Sequence, residues 1–262
     1  MRKLINTFLF IFLLIIIISP VFAQQSNFMI SPPPIPWFEF KEGQKDLRVT
    51  ATGMYLTGKG GEELTGDIEV YGAGAGGIYR YAFKDIFAFD VGLTVVGAAG
   101  DIGKEADMTM WLASVPIDLE ILLVNNEQMA VIAFVGFGFS HNYIGIESNV
   151  PGYEGTVDMT SDMKGPQGGI QVSFKLADFT VSPFLMLTKQ SGNVDIDYDI
   201  EGQGSGSLSM SVSTTTIYYY GFDIVYVPLG LSLSSLIQQA SESGSNEGFK
   251  TYVLNISYCT RF

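Results

Sequence analysis

Leu208 to Tyr226 reads LSMSVSTTTIYYYGFDIVY, and its alternation decides the fold. Leu208, Met210, Val212, Tyr218, Tyr220, Phe222, Ile224 and Tyr226 fall on even positions, while Ser209, Ser211, Ser213, Thr215, Gly221 and Asp223 fall between them. A period of two is that of a β-strand with one greasy face and one small, polar face. The same pattern recurs at roughly 46–57, 67–82, 86–99, 108–124, 129–145, 163–176, 179–190, 229–238 and 249–262, which makes ten candidate strands. Connections after the even-numbered strands are tight, as at Phe83-Lys84-Asp85 and Ala177-Asp178, whereas those after the odd-numbered ones read as longer and rich in Gly, Ser, Asp and Glu.

A soluble barrel would put Lys and Glu on its less apolar face. Here that face carries Gly72, Gly74, Gly76, Gly136, Gly138 and the serines of 209–213, side chains suited to a narrow interior. Aromatics such as Tyr79, Tyr81, Phe87, Trp111 and Tyr143 stand near the ends of the greasy face, where a membrane barrel places its girdles. The pattern predicts an all-β, transmembrane, antiparallel up-and-down barrel of about ten strands (8 to 12), with both termini periplasmic.

Outside the strands the chain divides simply. Arg2 and Lys3 precede an apolar run from Phe8 to Ile18, then Ser19-Pro20 and Val21-Phe22-Ala23, the layout of a secretory signal peptide cleaved after Ala23. Residues 24–45 read as a Pro-rich periplasmic leader containing Ser31-Pro32-Pro33-Pro34-Ile35-Pro36 and Trp37-Phe38-Glu39-Phe40. Its simplest role is to touch the inner membrane rim; a plug entering the lumen and a partner-docking segment are the alternatives. Residues 46–262 form the barrel.

The 262 residues carry a formal charge of −13, and loss of 1–23 removes two basic residues and no acidic ones, giving −15. An acidic chain without a basic stripe excludes nucleic acid as a partner. One Cys excludes an internal disulfide.

Leu254, Ile256, Tyr258 and Phe262 alternate up to a terminal aromatic, broken mildly by Thr260. This ending resembles the C-terminal sorting signal of bacterial outer-membrane proteins. With the signal peptide and strand pattern, it marks the chain as similar to the broad class of small outer-membrane barrels, with no subfamily indicated. The resemblance implies residence in the outer membrane, contact with lipid and lipopolysaccharide, and recognition of the ending by the barrel-assembly machinery.

Candidate chemistry is sparse. Gly72 to Gly77 fits G-x-G-x-x-G, but Ile78-Tyr79-Arg80-Tyr81 continues as strand, and phosphate cradling needs a helix N-terminus there. No cofactor is expected. His141, the single histidine, shares the greasy face with Phe137, Phe139 and Tyr143, so Ser140 points away from it and a hydrolytic pair is disfavoured. Parity places Arg48, Arg80, Lys175 and Arg261 inside with Asp90, Asp118, Glu120 and Asp223, a balanced set suited to a paired lumen network or a charged constriction. Asp195, Asp197, Asp199 and Glu201 alternate in the seventh connection, where four carboxylates on one side suit divalent cations. Three roles follow: a narrow-lumen barrel that is structural or passes small solutes, a surface-binding barrel acting through acidic outer loops, and an outer-membrane hydrolase using His141.

Overall fold

A computed structural model describes Ile35 and residues 40–59, 67–103, 106–148, 150, 154–201, 204–241 and 250–262. The signal peptide and most of the Pro-rich leader lie outside the described residues. Ten strands close into one antiparallel barrel: β1 (Lys45–Lys59), β2 (Asp67–Lys84), β3 (Phe87–Ile102), β4 (Ala106–Asn125), β5 (Met129–Ser148), β6 (Gly155–Leu176), β7 (Phe179–Ile200), β8 (Gly204–Tyr226), β9 (Leu231–Ser241) and β10 (Lys250–Arg261). Each strand pairs with its neighbours in sequence, and β1 pairs with β10 to seal the wall, so no edge is left open. Both ends of the barrel sequence, Lys45 and Phe262, lie together and exchange backbone hydrogen bonds. This end, with the tight turns, is called here the terminal end, and the opposite one the loop end.

The strands run further toward the loop end than the sequence suggests. β6 starts at Gly155 rather than near 163, and β7 continues to Ile200 rather than stopping near 190. Residues expected in acidic loops are therefore strand, paired from Gly155↔Ile200 to Lys164↔Ser191. The 22 residues of β7 extend about 73 Å at roughly 3.3 Å per residue, or about 55 Å along the axis at a tilt near 40°. An apolar band about 25 Å tall covers less than half of that.

The greasy face of Leu208–Tyr226 is not continuous. Tyr218, Tyr220 and Phe222 are exposed on the outside, whereas Met210 and Val212 pack against the interior apolar cluster. The β7–β8 register jumps between Gln190↔Thr215 and Gly192↔Val212, and this irregularity exchanges the two faces of β8. Even-numbered side chains thus face outward only over the terminal half of that strand.

The interior is stratified. Near the terminal end it holds Arg48, Arg80, Asp46, Glu120 and Asp223, all essentially inaccessible. Toward the loop end it becomes a dry cluster of Met54, Leu56, Val70, Met108, Met110, Ile144, Met159, Val194 and Ile196. The outer wall changes in the reverse sense. On β4 it passes from Leu119 and Trp111 to Thr109 and Asp107, and on β7 from Leu185 and Leu187 to Asp195, Asp197 and Asp199. Inside that acidic wall the apolar side chains have the burial of a soluble barrel core.

Gly72, Gly74 and Gly76 lie on the inward face of β2. A Cβ on Gly74 would fall within 2.6 Å of the Val96 side chain, so bareness there relieves crowding between β2 and β3. The G-x-G-x-x-G run is strand throughout.

Candidate functional site

The inward charges gather at the terminal end in two groups. Arg48 on β1 reaches across the lumen to Asp223 on β8 in a bidentate pair, Nη1–Oδ2 at 3.0 Å and Nη2–Oδ1 at 3.1 Å, and its Nη2 also donates to Ser232 Oγ at 2.9 Å. The planar fork of arginine matches a carboxylate in this geometry. Both side chains are fully buried.

The second group centres on Arg80 of β2. Its Nη2 and Nε donate to Asp46 Oδ2 at 2.6 and 3.0 Å, and its Nη1 donates to Glu120 Oε2 at 3.2 Å. Asp46 also accepts from Arg261 Nε on its other oxygen, Oδ1, at 3.0 Å, and from Gln44 Nε2 on Oδ2 at 2.7 Å. The register explains the convergence: Arg261↔Asp46, Asp46↔Arg80, Arg80↔Asp90 and Asp90↔Asp118 are successive cross-strand partners on β10, β1, β2, β3 and β4. Charges of opposite sign alternate along this row until Asp90 meets Asp118. That like-charged step is moderated by Gln167 on β6, whose Nε2 donates to Asp118 Oδ2 at 2.6 Å. Glu120 Oε1 and Asp118 Oδ1 are buried without a donor.

The leader takes part in this arrangement. Arg80 Nη1 donates to the Ile35 carbonyl at 2.8 Å, and the Arg80 guanidinium lies 4.8 Å from the centre of the Phe40 ring. Ile35 and Phe40 are buried, Phe40 among Ala82, Ala88, Leu122, Ala130 and Ile132. At these two residues the leader enters the lumen rather than resting on the rim, because the guanidinium offers a donor and a flat cationic face that lipid does not.

Of the eight expected lumen charges, Arg48, Arg80, Asp90, Asp118, Glu120 and Asp223 are buried, and Arg261 is partly so. Lys175 is the departure. It has inward parity but stands exposed at the end of β6, where the wall stops and solvent begins. Asp46, Gln44 and Gln167 were not anticipated. Asp46 shares the parity of Arg48 and was readable in principle; Gln167 is uncharged and gave no signal.

Farther up the lumen, neutral groups take over, with Thr50 Oγ1 and Ser257 Oγ 3.0 Å apart and Thr52 Oγ1 donating to Asn255 Oδ1 at 2.8 Å. Cys259 is buried on the same inward face.

On the outside, His141 Nδ1 lies 2.6 Å from Asp162 Oδ1, and its ring sits 5.0 Å from that of Trp111. Ser140 is buried on the opposite face of β5, so it is not the partner of this histidine. Asp195, Asp197 and Asp199 are exposed at alternate positions of β7, with Glu201 in the turn that follows. Asp195 accepts a hydrogen bond from Ser209, and Asp197 stands opposite Asp158. Among the described residues no group of three or more acidic, His or Cys side chains converges tightly enough to hold a metal ion. Leu254, Ile256, Tyr258 and Phe262 are exposed on one outward stripe of β10 and its end.

No protein-family model and no curated protein matches the chain. Solved structures do. The outer membrane protease OmpT from Escherichia coli superposes with a TM-score of 0.56 at 8% identity, over 90% of this chain and 99% of that one. The chain has the outer-membrane β-barrel fold. The translocator domain of the autotransporter NalP from Neisseria meningitidis superposes with a TM-score of 0.52 at 11% identity, over 82% of this chain and 88% of that one. At such identities the likeness concerns the fold of the barrel and not its chemistry.

Proposed function

We propose that this outer-membrane barrel is exported by a signal peptide cleaved after Ala23, inserted with both termini in the periplasm, and closed to solutes. Its role is structural: a sealed cylinder anchored by the terminal half of its strands, carrying the loop half above the outer leaflet. The observation that carries this reading is the interior. From the Arg80 group through Thr52 and Asn255 to Met110 and Ile196, inward side chains of successive tiers are buried, and Phe40 and Ile35 occupy the lower mouth. A ten-stranded barrel has little room beyond its side chains, and here they pair or pack with one another. In the rival constriction reading, charges line a path that stays open to solvent. Liposome swelling tests the proposal: vesicles containing the folded protein swell in small sugars no faster than empty ones, and swelling that falls with sugar size supports solute passage instead.

A second reading is favoured by the outer wall. Asp158, Asp162, Asp195, Asp197 and Asp199 stand outward on the adjacent strands β6 and β7, beyond the greasy band. This acidic face suits a cationic surface, or a divalent cation bridging to lipopolysaccharide or another cell. Calorimetry tests the cation: Ca²⁺ or Mg²⁺ heat that disappears in Asp197→Asn, Asp199→Asn supports bridging, and identical traces leave a solvated wall. Insertion of the terminal stripe by the barrel-assembly machinery belongs to the same account.

A further inference from the structure

The row of charges from β10 to β4 does not balance. Asp46, Asp90, Asp118 and Glu120 meet on it, whereas its cations are Arg80 and the partly exposed Arg261. Arg48 is engaged by Asp223 on β8, and among the described residues no other cation is buried. Four carboxyl groups against two guanidiniums leave a surplus of negative charge in a space without bulk water. Isolated charges in such surroundings neutralise or find a counter-charge.

The hydrogen bonds show where the surplus falls. Nε and Nη2 of Arg80 serve Asp46, and Nη1 serves Glu120 and the Ile35 carbonyl, so the fork is nearly used up. Asp118 accepts from Gln167 and lies in the space that a side chain at Gly136 would fill. Asp90 is buried, and its hydrogen-bonding partner is Glu120, which stands diagonal to it on β4, two residues past Asp118. Ionised carboxyl groups have no hydrogen to give, so two of them hydrogen-bond only with a proton between them. Glu120 Oε2 accepts from Arg80, and the buried Oε1, which finds no N–H or hydroxyl donor, is the oxygen free to receive that proton. The groups around Asp90 are Arg80 on β2 and Asp118 and Glu120 on β4, with Asp46 and Arg48 on β1, Gln167 on β6, Asp223 on β8 and Arg261 on β10 beyond them; Gly136 on β5 and the leader's Ile35 and Phe40 bring no charge.

We propose that Asp90 carries a proton at neutral pH and donates it to Glu120, and that this proton is a pH-sensitive catch on the closed lumen. The inference rests on the closed-lumen reading above. When the proton leaves to solvent, Asp90, Asp118 and Glu120 stand as like charges beside Arg80, whose Nη1 also holds the leader. The seal at the terminal mouth therefore weakens in alkali. The sign follows from linkage: above about pH 4 an unfolded Asp is ionised, so the folded chain binds one proton more and its stability falls as pH rises, until Asp90 has lost its proton in the folded state too.

Infrared spectroscopy of the purified, folded barrel at neutral pH reads the proton directly. Subtracting the spectrum of Asp90→Asn, whose amide donates to Glu120 in place of the O–H, from that of wild type leaves the carbonyl band of a protonated carboxyl group. In equilibrium unfolding from about pH 5 to about pH 9, the folded-to-unfolded ratio of wild type falls relative to Asp90→Asn by up to about tenfold per pH unit, the limit for one proton. Asp197→Asn, on the exposed wall, follows wild type. Glu120→Gln, whose amide donates to an ionised Asp90 while its carbonyl still accepts from Arg80, matches Asp90→Asn and serves if that variant fails to fold. Absence of the band, or parallel pH profiles for wild type and both variants, overturns the proton. In planar bilayers wild type opens at about pH 9 and the variants stay silent; a wild type silent there overturns the catch. Steady wild-type conductance at neutral pH would instead refute the closed lumen, a failure the infrared band does not share.

Discussion

Replacing Arg80 with Ala should destabilise the barrel far more than its size suggests. The side chain is fully inaccessible and donates to Asp46, Glu120 and the Ile35 carbonyl while covering Phe40. Asp46 keeps Arg261 and Gln44 after the change, so part of its compensation survives. Glu120 does not fare so well: it loses the cation at 3.2 Å while its other oxygen already lacks a donor. Breaking a buried pair from one side costs roughly 3–5 kcal/mol, and the surviving contacts of Asp46 put the expected loss toward the lower figure. Removing both partners, in Arg80→Leu, Glu120→Leu, removes the stranded Glu120 charge but leaves buried Asp90 without the cation opposite it, so it should recover only part of the loss. Lys84→Ala supplies the contrast, since Lys84 and Glu42 are 61% and 63% exposed and an exposed pair contributes roughly 0–1 kcal/mol. The assay is equilibrium unfolding in detergent micelles by denaturant, followed by Trp fluorescence. A single Arg80→Ala variant within about 0.5 kcal/mol of wild type would refute the reasoning, because surface substitutions already produce changes of that size.

Phe262→Ser should reduce the amount of heat-modifiable barrel in the outer membrane and increase degradation in the periplasm, since Phe262 is 72% exposed and has little packing to lose; wild-type levels would remove the sorting role. The exchange of faces in β8 predicts that Ser209→Cys reacts rapidly with a water-soluble maleimide in the folded protein and Met210→Cys slowly, with the reverse order if the strand kept one greasy outer face. Met159→Asp, which puts a carboxylate into the dry loop-end cluster, should cost several kcal/mol in the same unfolding assay, whereas Thr160→Asp on the outward side should stay within about 1 kcal/mol.

The barrel was legible in the sequence because two kinds of surroundings impose opposite demands on the two faces of a strand. Over the terminal half, lipid outside and a narrow lumen inside make Tyr218, Tyr220 and Phe222 outward and Asp223 inward, and alternation alone reports this. Over the loop half the surroundings reverse, with water outside and a packed apolar core inside. Asp195-Ile196-Asp197 keeps the same period, yet its greasy members now point in. Periodicity fixes which residues share a face but not which face meets lipid, so the sequence pattern alone ends β6 and β7 early and places their carboxylates in a loop. The irregularity at Val212 to Thr215 was hidden for the same reason, because a run of serine and threonine fits either face. In the lumen, parity names Arg48, Arg80, Asp90, Asp118, Glu120 and Asp223, whereas Asp46 is the first residue of the candidate strand 46–57, where boundaries are least certain. The contacts of Ile35 and Phe40 had no period to reveal them, since a Pro-rich segment carries neither helix nor strand spacing.

The claim that the lumen is closed is tested most directly by planar-bilayer recording of the purified, refolded wild-type protein at neutral pH. The account predicts a nearly silent membrane after insertion is verified, and discrete openings once Arg80→Ala breaks the group that holds Asp46, Glu120 and the leader. A stable, steady conductance in the wild type, altered by Arg80→Ala only in its ion selectivity, would contradict it and make the same charges the lining of a pore.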